Sequence, residues 1–424
     1  MSRSTDPGHF FQTSSALSEE ARKAEKSKNK LGDPIKLTSK LLAVTADPLD
    51  DDRIYVAEAA GNVRRIALEA SETTHTFSGP TAPLTSLAVS PKASTLFAGC
   101  WDKNIWAWPL PPSSSPPAST KSAAIKGTPR FSNGHTDFVK CLLAFSLGGQ
   151  DLLVSGGSDA CIIVWDVDSG RQLYKLKGHA RGVLALAVDP ASHTTRLSRQ
   201  TPAVTILSAG SDREIRAWRI RADRGYQIPV GSIGKEDGTE GESGEPEPPA
   251  ASGDPVVTPL VAHDTSVDAL AFDAADDLWT ASADRSAKCL VRGRAFAHAD
   301  TSLPHPDFVR DVAVDDEAGW VATACRDEHV RVWDKAAAEC AHVFEGHYEE
   351  VTALCLLPRQ RLVSVSIDGT VRRWSLKRAD VKRAREEAEK ARQGVVDDEA
   401  EGKKEGLLTE DEERELAELM DEDD

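Results

Sequence analysis

Histidine and aspartate are the residue types whose spacing in this chain first invites a chemical reading. Five of the eleven histidines, His135, His179, His263, His305 and His347, each precede an aspartate that stands in a turn: Asp159, Asp212, Asp284, Asp327 and Asp368. A His–Asp pair is half of a nucleophilic triad, and His with carboxylates is also a metal-ligand set. Recurrence argues against both, because a catalytic pair does not occur five times in one chain. A buried carboxylate, by contrast, needs fixed donors wherever it stands, and a repeated His supplies them. The cysteines Cys289, Cys325, Cys340 and Cys355 are too dispersed for zinc spacing. The sequence carries no phosphate-binding loop, dinucleotide fingerprint or nucleophile elbow. The expectation is a chain that is not an enzyme, with no catalytic residue, no metal and no cofactor.

The elements that must position these pairs are short and repeated. In 134–179 a Gly-His pair is followed by strand-length runs rich in Val, Ile and Leu, and then by a second Gly-His. Turn residues such as Gly148-Gly149, Ser158-Asp159 and Asp168-Ser169-Gly170 separate the runs. One ruler finds further copies: an Asp followed six residues later by Trp, at Asp102/Trp108, Asp159/Trp165, Asp212/Trp218, Asp327/Trp333 and Asp368/Trp374. Asp284 keeps the spacing but meets Leu290, and the earliest copy has Ala60 and Ile66 at the two positions. That makes seven copies. The Gly-His pair is intact at His135, His179 and His347, becomes Ala262-His263 and Pro304-His305, and is Gly79-Pro80 in the second copy. Low-complexity insertions at 109–126, 191–201 and 221–259 lengthen three of the intervals. Such segments bury too little apolar surface to offset their ordering entropy and belong on the surface.

These copies resemble the WD-repeat family, whose repeats of roughly 40–45 residues each build a four-stranded blade. The resemblance implies an all-β, seven-bladed WD-repeat β-propeller over 33–376. It also implies that each repeat His bonds the Asp of its own blade, with Trp and a Ser or Thr completing the network. The pairs are His135–Asp159 (with Trp165), His179–Asp212 (with Trp218), His263–Asp284, His305–Asp327 (with Trp333) and His347–Asp368 (with Trp374). Blades 1 and 5, lacking parts of this set, are expected to rely on apolar packing alone and to open first. In the family an N-terminal strand completes the last blade, and 34–37 is placed to do so. Removing 33–40 is expected to unfold the ring, whereas deleting 1–30 is expected to be tolerated.

Outside the ring, 1–32 reads as a disordered N-terminal arm, with a fraying helix over 18–30. Residues 377–393 read as a charged, solvated helix stopped by Gly394, and 394–424 as an acidic tail holding a short amphipathic helix. Thr409 with Glu412 is a capping-box pair, and Leu416, Leu419 and Met420 form a short apolar stripe. The stripe reads as a docking peptide for a basic partner; a solubilising tail and an intramolecular cover are the alternatives. The formal charge of −17 sits mainly in two segments, 395–424 with 15 acids and 3 bases, and 235–254 with 7 acids and 1 base. The folded body is therefore near neutral.

For binding, the resemblance points to the rim that carries the Gly-His loops and Asp turns. Two repeats share an unusual tetrapeptide there, Asp137-Phe138-Val139-Lys140 and Asp307-Phe308-Val309-Arg310. With Trp101 and Arg326, each just before a blade Asp, the set Trp101, Phe138, Lys140, Phe308, Arg310 and Arg326 is aromatic and basic, suited to an acidic or phosphorylated peptide. The alternative is that both Phe residues pack between blades and the bases are solvated. The expected function is a non-catalytic scaffold for protein–protein interactions in a multi-subunit complex. A subunit of an RNA-processing or ribosome-assembly complex and a ubiquitin-ligase substrate receptor are the alternatives. The last is lowered because Trp165-Asp166 and Trp333-Asp334 are not followed by the Trp-Asp-x-Arg/Lys pattern that such receptors carry. No basic, aromatic-interleaved groove is present, so direct nucleic-acid contact is not expected. The absence of a long apolar run, the polar N-terminus and the scattered cysteines point to no membrane and to the cytoplasm or nucleus.

Overall fold

A computed structural model describes residues 14–90, 92, 94–111, 124–193, 202–233 and 257–405. The described strands form seven sheets, six of them four-stranded and one five-stranded. The inner strand of each touches the inner strands of its two neighbours, and the last inner strand, Val351–Leu357, meets the first, Leu41–Ala46. The sheets therefore stand around a common axis as blades 1 to 7.

Burial along a blade explains its sequence. In blade 4 the inner strand Val183–Val188 alternates buried and half-buried, since one face packs and the other looks to the axis. The second strand Val204–Gly210 is buried throughout, because neighbouring blades cover both faces. In blade 3 the outermost strand Gln172–Lys177 alternates weakly and stays wet. The core lies between blades: Leu152, Val154 and Ile162 of blade 3 pack on Ile206, Trp218 and Ile220 of blade 4.

Closure is by the N-terminal strand. Ile35–Lys36 pairs antiparallel with Thr370–Ser375 as the outermost strand of blade 7, Ile35 opposite Val371. Residues just before it are also tied down. Asn29 donates to the Glu345 carbonyl at 2.7 Å, and Arg372 donates to the carbonyls of Asn29 and Leu31.

Several boundaries depart from the sequence reading. The helix expected over 18–30 in the arm 1–32 is α1 (Ser14–Lys26), rich in Ala, Glu, Lys and Arg, which are strong helix formers. The insertion 221–259 contributes structure: Gly225–Ile228 is the outermost strand of blade 4, and Val230–Ser232 a turn of 3-10 helix. Their apolar residues Ile228 and Val230 join the core between blades 4 and 5. From 109–126, Ile125–Lys126 adds a parallel fifth strand to the edge of blade 1. From 191–201, Ala191–His193 end the 3-10 turn Pro190–His193. The charged helix, α2 (Arg378–Glu405), runs through Gly394, which costs a helix only about 1 kcal/mol and does not end it. Leu416, Leu419 and Met420 lie outside the described residues. Among those described, no helix is long and apolar enough to cross a membrane.

Candidate functional site

The repeat histidines sit where the inner strands begin, on what we call the upper face. In blade 4, Trp218 Nε1 donates to Ser208 Oγ at 2.7 Å, Ser208 Oγ lies 2.7 Å from His179 Nε2, and His179 Nδ1 lies 3.0 Å from Asp212. The ionised carboxylate can only accept, so Nδ1 carries the imidazole proton and donates to Asp212; Nε2 of the neutral ring then accepts from the Ser208 hydroxyl, whose oxygen accepts from the indole N–H. The same relay runs through Trp165, Ser155, His135 and Asp159 in blade 3, and through Trp374, Ser364, His347 and Asp368 in blade 7. Burial alone would raise the Asp212 carboxyl; the hydrogen bond from His179 and the amides of Ala180 and Glu214 outweigh it and hold it at about 2.

The residue supplying the middle hydroxyl stands four positions before each Asp: Ser155, Ser208, Thr280, Thr323 and Ser364. Blades 1 and 2 have Val56 and Ala98 there, and lack the His as well. The Gly of Gly-His has a steric reason: a Cβ on Gly134 would stand 2.2 Å from the Trp165 ring. Blade 5, where Leu290 replaces the ring, carries Ala262 instead.

Two expectations are corrected. His305 does not bond Asp327: its Nδ1 donates to the Leu303 carbonyl at 3.0 Å, and Asp327 is taken by Arg331. A full charge four residues away on the next strand outcompetes a neutral imidazole. Burial then holds His305 down, to about 4. Blades 1 and 5 also do not rest on apolar packing alone. Blade 1 buries Arg65 on Asp47, which accepts from Tyr55 as well. Blade 5 keeps His263 on Asp284 at 2.8 Å and on Thr280 at 2.7 Å.

Both ring nitrogens of each repeat histidine are engaged inside its own blade. Among the described residues, His179, Asp212 and Glu214 alone form a compact metal-like set, and Arg216 already holds Glu214 with two hydrogen bonds. A cation there would meet the guanidinium.

The remaining sequence-flagged residues occupy a second repeating position. In all seven blades the inner strand begins with a bulge whose extra residue is half-buried: Leu42, Thr85, Lys140, Leu184, Asp268, Arg310 and Thr352. Beside it, the carbonyl just before each inner strand accepts the amide that follows the second strand. Trp101 bonds Pro83, Ser158 bonds Phe138 and Arg326 bonds Phe308 in this way. These positions ring the mouth of the axis, and sequence patterning could not show that they converge, because a bulge adds a residue without any composition signal.

Two sectors of that ring stand out. Between blades 2 and 3, Trp101 stacks on Phe138 with centroids 4.9 Å apart and planes 13° apart, and Lys140 Nζ sits 5.2 Å from the Trp101 ring. Among the described residues, Trp101 is the one aromatic among the exposed large hydrophobic residues, at 39%. In blade 6, Arg326 and Arg310 flank the Phe308 ring at 5.1 and 5.9 Å. Arg310 is engaged by Asp268 and Glu350. The structure thus brings Trp101, Phe138 and Lys140 together, and Phe308, Arg310 and Arg326 together, as separate clusters. Beside the second, Arg22 and Lys26 of α1 bind Glu328 and Lys23 binds Glu349, all at 2.7 Å.

Comparison with known proteins settles the family. The repeat described as "WD domain, G-beta repeat" matches residues 71–108, 127–166, 170–219, 300–334 and 338–375. An uncharacterized WD repeat-containing protein of Schizosaccharomyces pombe is 34% identical over 390 residues, covering 88% of this chain and 90% of that one. The chain belongs to the WD-repeat family. The stretch of this WD-repeat protein that the repeat pattern passes over includes blade 5, where Leu290 stands for Trp. Ribosome biogenesis protein ytm1 of Aspergillus clavatus is 24% identical over 322 residues, covering 70% of this chain and 59% of that one. Among solved structures, the WD40 β-propeller domain of Doa1 superposes with a TM-score of 0.60 at 19% identity, over 82% of this chain and 97% of that one, a likeness of fold.

Proposed function

We propose that this WD-repeat protein is a non-catalytic scaffold that carries other proteins in a multi-subunit complex, holding them on the upper face between blades 2 and 3. The observation that supports this most is the Trp101–Phe138–Lys140 cluster, which leaves Trp101 exposed to solvent and stacked on a half-buried Phe138. Aromatic residues with an adjoining cation dominate interface energetics. The acidic tail, with Leu416, Leu419 and Met420, is a second attachment point suited to a basic partner. Similarity to a ribosome biogenesis protein favours ribosome assembly as the setting, and with it the nucleus over the cytoplasm.

Affinity capture from native extract tests this, comparing the full chain with a Trp101→Ala/Phe138→Ala double variant and with a 1–405 truncation. The double variant is expected to lose a defined subset of the captured proteins while its melting temperature stays within a few degrees. An identical set of captured proteins from all three chains would contradict the proposal.

A further inference from the structure

Lys140 and Arg310 occupy equivalent places in blades 3 and 6, yet their surroundings differ. Each is the extra residue of an inner-strand bulge. Each stands two residues after a Phe whose amide is capped by the preceding Asp at 2.8 Å. Each stands against that Phe ring, Lys140 at 5.7 Å and Arg310 at 5.9 Å. Arg310 is satisfied within the ring of blades, by Asp268 of blade 5 at 2.8 Å and by Glu350 of blade 7. The positions matching those two carboxylates around Lys140 are Thr85 in blade 2 and Gly182 in blade 4. The Thr85 hydroxyl is turned to the Val139 carbonyl at 2.6 Å. Among the described residues, no carboxylate comes within ion-pair distance of the Lys140 ammonium. Burial lowers its pKa, only partly opposed by Asp137. A half-desolvated ammonium beside a stacked aromatic pair has lost water without gaining a counter-ion.

We propose that this site receives the carboxylate of an Asp or Glu side chain of a partner peptide, with Lys140 as its counter-ion and the Trp101–Phe138 stack as the platform for the adjoining apolar side chain. The inference rests on the upper-face reading above and names the chemistry that face selects. The incoming carboxylate takes the place that Asp268 and Glu350 fill around Arg310. One ammonium matches one negative charge. A phosphate dianion is better served by the planar fork of Arg, and the copy of the site that carries Arg is closed by its own carboxylates.

The test selects dodecapeptides from a random displayed library on the full-length chain. The selected peptides are then titrated, as labelled synthetic peptides, against wild type, Lys140→Met, Trp101→Ala and Arg326→Ala, each checked for an unchanged melting temperature. Lys140→Met keeps the stem over the rings and removes only the charge. The expected peptides share an Asp or Glu beside an apolar residue. They weaken about tenfold or more on Lys140→Met and on Trp101→Ala, about 1.4 kcal/mol per tenfold, and hold on Arg326→Ala. Changing the peptide's Glu to Gln should weaken binding to wild type and leave binding to Lys140→Met as it was. Peptides that need Trp101 but ignore the Lys140 charge overturn the carboxylate inference alone. Tighter binding after exchanging Glu for phosphoserine overturns it in favour of phosphate. If no selected peptide is sensitive to Trp101→Ala, the upper-face reading itself falls.

Discussion

Each donor along the Trp218–Ser208–His179–Asp212 relay has one acceptor inside the blade, so each member depends on the next. Ser208→Ala leaves the Trp218 N–H and His179 Nε2 without partners inside blade 4, at a cost of about 2 kcal/mol; urea unfolding should show this as a lower midpoint with an unchanged slope. The buried groups also fix how stability responds to pH. Asp212 is held at about 2, below the ordinary carboxylate range near 4, so its contribution is present at neutral pH and is lost as pH falls toward 2. His305 is held at about 4, below the ordinary imidazole value near 6.5, so the unfolded chain takes its proton first and stability falls between those two values on acidification. Asp311 has the opposite sign. Burial raises it to about 6, although the Leu354 amide donates to it at 2.8 Å, so its ionisation in the fold costs stability as pH rises from about 4 through 6. Asp311→Asn cannot ionise, but it keeps only one of the two oxygens that accept from the Val312 and Leu354 amides. Its melting temperature relative to wild type should therefore rise between pH 4 and pH 8; a difference that does not change with pH would place the effect in packing.

At the scale of elements, the N-terminal segment divides into a part that holds the ring and a part that rests on it. Ile35–Lys36 completes blade 7, and Asn29 and Leu31 are bound by Arg372. α1 is attached by Arg22, Lys23 and Lys26 to Glu328 and Glu349, while its Leu17 stays exposed. Ion pairs of this partly exposed kind are screened by salt. Deleting 33–40 should abolish cooperative unfolding, and deleting 1–27 should leave it within about 1 kcal/mol of the full chain. A cut at 30 reaches Asn29 and should cost more than a cut at 27, which sharpens the limit expected from sequence. Amide exchange gives the independent check: Glu328→Gln or high salt should speed exchange across 14–26 and leave 35–36 protected. Protection of α1 that survives both would mean that apolar contacts hold it.

At the scale of the molecule, the number of blades and their closure were legible because the Asp-to-Trp spacing repeats through every insertion and the alternating inner strands leave little choice of register. What was not legible has physical reasons. The diversion of Asp327 to Arg331 depends on a competition between two donors that spacing cannot rank. The Arg65–Asp47 pair in blade 1 lies outside the Asp-to-Trp spacing. The strand Gly225–Ile228 is hidden inside a tract whose composition is set by its low-complexity remainder. Of the six upper-face residues marked from sequence, three form an open cluster and Arg310 spends its charge inside the fold, a distinction that only the seven inner-strand bulges reveal. The upper face is thus divided: α1 attaches at blades 6 and 7, and the Trp101–Phe138 stack lies open between blades 2 and 3. Hydrogen exchange of the captured complex against the free chain tests that division most directly. Within the ring of blades, the account predicts new protection confined to 101–104 and 136–140. Protection on the outermost strands, such as Gln172–Lys177, with 136–140 unchanged, would contradict it.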